Sequence, residues 1–178
     1  SLAGMEADPI DTIIKLDLTT VYPDLPRPIE PIRMVPEGNL ASRRPAQLLS
    51  TDGSHALVAS GFSVARYGVD GSRLSIAQGA YEWAWSFQVD LEAVHSVDRV
   101  VIHFGSGYAT EYRLHLSKDG QTWQTVAHIQ GSTGGSAEHT FEPIDARFVR
   151  VEAVKPDGPD QPGSQMSIAE LEVYAHTP

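Results

Sequence analysis

The sequence predicts an all-β sandwich or barrel over residues 39–178, on three observations. Apolar residues recur with period two, turn-forming clusters separate the periodic runs, and no stretch sustains an amphipathic helix of three turns. In WSFQVDL, Trp85, Phe87, Val89 and Leu91 share one face, and Ser86, Gln88 and Asp90 share the other. RVVIHF does the same with Val100, Ile102 and Phe104, and YRLHL with Tyr112, Leu114 and Leu116. RFVRVEAV sets Val149, Val151 and Ala153 against Arg150 and Glu152, and IAELEVY aligns Leu171 with Val173. The clusters SKDGQ, GSTGGS and KPDGPDQPGS between these runs supply turns, with Asp119-Gly120 as hairpin chemistry.

The first 38 residues differ. DTIIKLDLTTVY has the pattern of one strand, and Pro23, Pro26, Pro28, Pro31 and Pro36 follow it. Proline at that density fixes φ and removes amide donors, so the segment reads as an extended, stiff connector, and Ser1–Met5 as an added tag ahead of it. Segment 1–38 is therefore expected to be a linker and 39–178 the globular domain.

Composition narrows the function. The 178 residues carry 23 acidic and 13 basic side chains, a formal charge of −10, which disfavours nucleic acid and anionic lipid as partners. The absence of cysteine removes thiol catalysis, thiolate metal sites and disulfides. No apolar stretch approaches the length of a bilayer span. Nucleophile-elbow and paired-histidine zinc motifs are missing, so no enzyme is expected. His103, Arg113 and His115 fall opposite the apolar faces of their strands. If those strands pair around Gly105–Glu111, the three side chains form one solvated face with cross-strand contacts.

Four segments in order, YGVDGSRLS, FQVDL with VDRVVIHF, YATEYRLHLSKDGQTW, and RFVRVEAV with SIAELEVYA, resemble the discoidin, or coagulation factor 5/8 type C, domain. The resemblance covers residues 39–176, and its cysteine-free, acidic form is similar to the bacterial family 32 carbohydrate-binding modules. It implies a jelly-roll, galactose-binding-like sandwich of about eight strands, and a non-catalytic module that tethers a larger secreted or cell-surface protein to glycan. It also implies one structural calcium. The ligands would be the Tyr67 carbonyl, Asp70, Ser72 and Ser75 on one loop, with the Ala169 carbonyl and the Glu170 carboxylate on the last strand, an oxygen set suited to a hard cation. Ser72 departs from the longer Asn or Asp usual there.

Sugar would be held by loops at one end of the sandwich, where aromatic faces stack on a pyranose and planar polar groups take its hydroxyls. On these loops stand Gln78, Tyr81, Trp83, Ser106, Tyr108 and Gln165, while Ala77 replaces the usual tryptophan and the family arginine is absent. That departure supports an alternative, a structural or protein-interaction module without a working sugar site. A third reading, phospholipid recognition, would need an exposed apolar loop tip, for which Met166 is the candidate.

Overall fold

The structure, a computed structural model, describes residues 36–57, 64–79 and 82–177. The strand pattern in DTIIKLDLTTVY and nearly all of the proline-rich segment lie outside these residues, as does Tyr81. Seven strands are present among the described residues: β1 Ala46–Ser50, β2 Ala77–Gln78, β3 Trp85–Phe104, β4 Glu111–Ser117, β5 Gln124–Gln130, β6 Ser136–Lys155 and β7 Ser167–Ala175. One 3-10 turn, Ala65–Gly68, precedes β2. All pairings are antiparallel, in the order β2-β7-β3-β6-β4-β5 with β1 added on β3.

The two strands of 20 residues, β3 and β6, organise the molecule. Ser86–Asp90 pairs with Phe148–Glu152 and with β1, whereas His95–His103 pairs with the 136–146 part of β6 and with β7. The register breaks between Asp90 and His95, where Glu92 has φ of 66°. Each long strand therefore bends at a corner and serves two layers, as strands of a sandwich do when they switch sheets. One layer is β2-β7 with the second half of β3 and the first half of β6. The other is β1 with the first half of β3, the second half of β6, then β4 and β5.

The period-two faces become the core between these layers. Trp85, Phe87, Val89, Leu91, Val100, Ile102, Tyr112, Leu114, Leu116, Val149, Val151, Ala153, Leu171 and Val173 are all essentially buried. Phe104 and Tyr112 come from opposite layers, and their rings meet edge-to-face at 5.3 Å, closing the sandwich from within. Sheet formation follows the hydrophobic effect here: each buried aliphatic or aromatic side chain stabilises by about 1.5–3 kcal/mol.

One expectation is overturned. β3 and β4 do not pair around Gly105–Glu111, because β6 lies between them and residues 105–110 cross from one layer to the other. His103 and His115 consequently stand on different layers. His115 Nε2 lies 2.9 Å from Glu152 Oε2, with Arg113 on the same carboxylate, which is the cross-strand cluster expected. His103 is not solvated: it is 6% exposed, 2.9 Å from Glu172 Oε1 and 2.6 Å from Ser136 Oγ. The 64–79 segment covers that face of β7, and Arg73 reaches Glu172 from it.

Candidate functional site

The strand ends place five loop segments at one end of the sandwich: residues 51–57, 82–84, 105–110, 131–135 and 156–166. At their centre is Ser167, 1% exposed. Its N–H donates to the Gly107 carbonyl at 3.0 Å, its carbonyl accepts from Gly105 N at 2.9 Å, and its hydroxyl donates to Gly107 O at 2.9 Å. Gln78 pairs with Ser167 in register, and the Gln165 carbonyl presses on Gly107, where a Cβ would lie 2.0 Å from that oxygen. Trp85 Nε1 donates to the Met166 carbonyl at 3.0 Å, which ties the start of β3, and with it Trp83, to the same end.

Gln78, Trp83, Ser106, Tyr108 and Gln165 are thus brought to one end of the fold. Trp83 is 47% exposed in the loop ahead of β3 rather than extending that strand, and Ser106 is exposed. Gln78, Tyr108 and Gln165 are half-buried. The Tyr108 ring lies against Gly134, whose φ of 75° and missing Cβ allow an approach that a side chain there would block at 2.5 Å. Met166, the apolar tip on which lipid recognition would depend, is fully buried, because its carbonyl receives the Trp85 indole and its side chain joins the core.

Sequence reasoning passed over Gln161, which sits in a stretch legible only as turn. Its side-chain amide accepts from Tyr108 N at 3.0 Å and donates to Tyr108 O. It therefore pairs with the Tyr108 backbone as a neighbouring strand would, and locks segment 105–110 to 156–166. No local pattern announces such a contact, since it joins residues 53 positions apart.

The 70–75 loop, expected from the resemblance to hold a cation, leads into β2 and touches β7 through Glu170. Ser72 N donates to Asp70 Oδ1 at 2.8 Å and Ser75 Oγ to Asp70 Oδ2 at 2.8 Å, closing the loop on its carboxylate. Glu170 is 1% exposed, and its Oε2 accepts from Gly71 N at 3.0 Å, while its Oε1 is buried without a hydrogen-bond partner. Burial pushes its carboxyl up to about 7, and the nearby Asp70 charge adds to the rise. Ala169 is the residue left over where β7 bulges between the His103–Glu170 and Phe104–Ile168 pairs. Among the described residues no three His, Asp or Glu side chains form a metal-holding group. The cage would rest on two carboxylates supplemented by hydroxyl and carbonyl oxygens, including that of half-buried Tyr67 in the 3-10 turn. A buried carboxylate oxygen without a donor fits a hard cation, which supplies the positive partner that position lacks.

The F5/8 type C domain profile matches residues 51–171. No curated protein sequence matches the chain. Among solved structures, chitosan-binding module 1 of a chitosanase/glucanase from Paenibacillus sp. IK-5 is 28% identical, covering 77% of this chain and 98% of its own, with a TM-score of 0.66. Chitosan-binding module 2 derived from chitosanase/glucanase of the same organism, in complex with chitotriose, is 25% identical over 77% of this chain and 100% of its own, also at 0.66. The family 32 carbohydrate-binding module from Clostridium perfringens NanJ, in complex with galactose, shares the fold at 23% identity and a TM-score of 0.60, covering 74% and 93%.

Proposed function

The chain belongs to the F5/8 type C, or discoidin, domain family, and from that premise we infer that it is a non-catalytic carbohydrate-binding module which tethers a larger secreted or cell-surface protein to glycan. The observation that carries this reading is the similarity, at 25–28% identity and over 98–100% of their length, to modules that bind chitosan. The loop platform supports it. Exposed Trp83 offers a ring face, Ser106 and Gln165 offer hydroxyl and amide groups, and Ser167 and Gln161 hold the loops in place before any ligand arrives. Tethering makes weak single-site affinity, on the order of 0.1–1 mM, useful by raising effective concentration at a polymer.

A calcium ion belongs to the same reading. Asp70 and Glu170 would supply its charge partners, and Ser72, Ser75 and the Tyr67 and Ala169 carbonyls the remaining oxygens. Bound there, it would join the 70–75 loop to β7 and so brace β2, which begins two residues after Ser75.

Calorimetric titration of the whole chain with chitotriose tests the sugar site. Trp83→Ala, at an exposed position, is expected to weaken binding at least tenfold with an unchanged unfolding midpoint; unchanged binding would remove Trp83 from the site. One observation favours the protein-interaction alternative: Leu74, at the tip of the cation loop, is 93% exposed. Under that alternative Leu74→Ser would abolish capture of a protein partner, and chitotriose would produce no heat with any variant.

A further inference from the structure

Beside the platform the sandwich carries a cleft that no sequence motif marks. It has a volume of about 400 Å³, and Thr110, Glu111, Gln130, Lys155 and Asp157 supply its polar walls. The loops that frame it are those that hold Tyr108. Thr110, two residues on, donates through its N–H to Lys155 O at 2.8 Å and through its hydroxyl to Asp157 O. Its carbonyl accepts from Ser132 N at 2.9 Å. Gly131 lines the cleft, and Gly134 of the same short loop lies under the Tyr108 ring. The cleft and Tyr108 therefore draw on the same three loops, 105–110, 131–135 and 156–166.

The chemistry of those walls is mixed rather than acidic. The Glu111 side chain is 12% exposed and its carboxylate is held by His128 Nε2 at 2.9 Å, Gln130 Nε2 at 3.3 Å and Lys155 Nζ at 3.4 Å. The hydrogen bond from His128 above all, then those from Gln130 and Lys155, keep it below the usual carboxylate range, so it is an acceptor at neutral pH. The Lys155 side chain remains 70% exposed and its ammonium has donors to spare, and Gln130 is exposed with an amide oxygen to offer. Asp157 uses one carboxylate oxygen on Gly163 N at 3.0 Å. Alternating donors and acceptors without an aromatic wall suit the edge of a hydroxyl-bearing ring, and the volume is at the scale of a small-ligand pocket.

We infer that this cleft is a second sugar subsite, so that the ligand is an oligosaccharide chain whose successive units lie on the Tyr108 platform and against Glu111, Gln130 and Lys155. The inference rests on the carbohydrate-binding reading above. Calorimetry on the full chain tests it, with chitotriose and cellotriose compared against glucosamine and glucose; the neutral pair separates hydroxyl recognition from attraction of an amine. At least one trisaccharide is expected to bind tenfold or more tighter than its monosaccharide. Lys155→Ala and Gln130→Ala, both at exposed positions, should reduce that ratio three- to tenfold. A ratio near one in the parent chain, or a ratio untouched by both variants, overturns the second subsite while leaving the module reading intact. Heat from none of the four sugars overturns both.

Discussion

Glu170 and Glu172 stand two residues apart on β7, both buried, and their surroundings treat them in opposite ways. Glu172 is satisfied: His103 lies 2.9 Å from one oxygen, Arg73 approaches the same oxygen, and the Tyr174 hydroxyl donates to the other at 2.8 Å. Glu170 has one backbone donor and a second oxygen with none. Burial holds the Glu170 carboxyl up at about 7, and its ionised form would be stabilised by a positive charge of its own, as Arg73 stabilises Glu172. If calcium supplies it, millimolar calcium raises the unfolding midpoint and chelator reverses the rise. At a hundredfold excess over the dissociation constant, linkage gives about 2.7 kcal/mol. Glu170→Gln should lose that response, and a variant that still responds would move the cation elsewhere. Gly107 carries a second residue-scale prediction. An added Cβ would meet a backbone oxygen that cannot rotate away, so Gly107→Ala should destabilise by about 1–3 kcal/mol in urea denaturation.

The strands show how far local pattern reaches. Alternation in WSFQVDL, YRLHL and RFVRVEAV identified the core faces because a half-buried strand writes its burial into every second residue. Alternation says nothing of which strands are neighbours, so the partition of β3 and β6 between two layers was not legible; it is set at the Asp90–His95 corner and by residues some 60 positions away. For the same reason the face of His103 was readable but its cover, the 64–79 segment, was not. The β4–β5 turn was readable at Asp119-Gly120, because its chemistry is local. Asp119 Oδ1 accepts from Thr122 N at 2.7 Å and Gln121 N at 2.8 Å, and Gly120 adopts φ of 75°. Those two amides lower the Asp119 carboxyl to about 2. Asp52 is likewise lowered to about 2, first by the Ser50 hydroxyl and then by Ser54 N. A folded value below the ordinary value of about 4 means that the ionised form favours folding. The contribution is present above about pH 4 and is lost as pH falls through about 2. Thermal unfolding should show a midpoint falling across that window. Asp119→Ala should fall less steeply there, and a parallel curve would deny the turn its role.

At the scale of the molecule, the loops at this end come from distant parts of the sequence, and two of them, 105–110 and 156–166, are tied together through Ser167 and Gln161. A net charge of −10 opposes association with nucleic acid and anionic surfaces. The same charge complements an amine-bearing polymer. The candidates Gln78, Tyr81, Trp83, Ser106, Tyr108 and Gln165 came from the family resemblance, which says where relatives hold sugar, and not from the strand pattern. The contacts of Gln161, Glu111 and Lys155 were not legible, because they join residues far apart in the sequence. The central claim is that this end of the sandwich binds glycan. Its most direct test is retention of the whole chain on an insoluble polysaccharide series, chitosan included, in calcium and again in chelator. Retention by a defined polysaccharide, weakened by Trp83→Ala, is the predicted result. Passage of a folded, calcium-equilibrated chain through every polysaccharide without delay would contradict it.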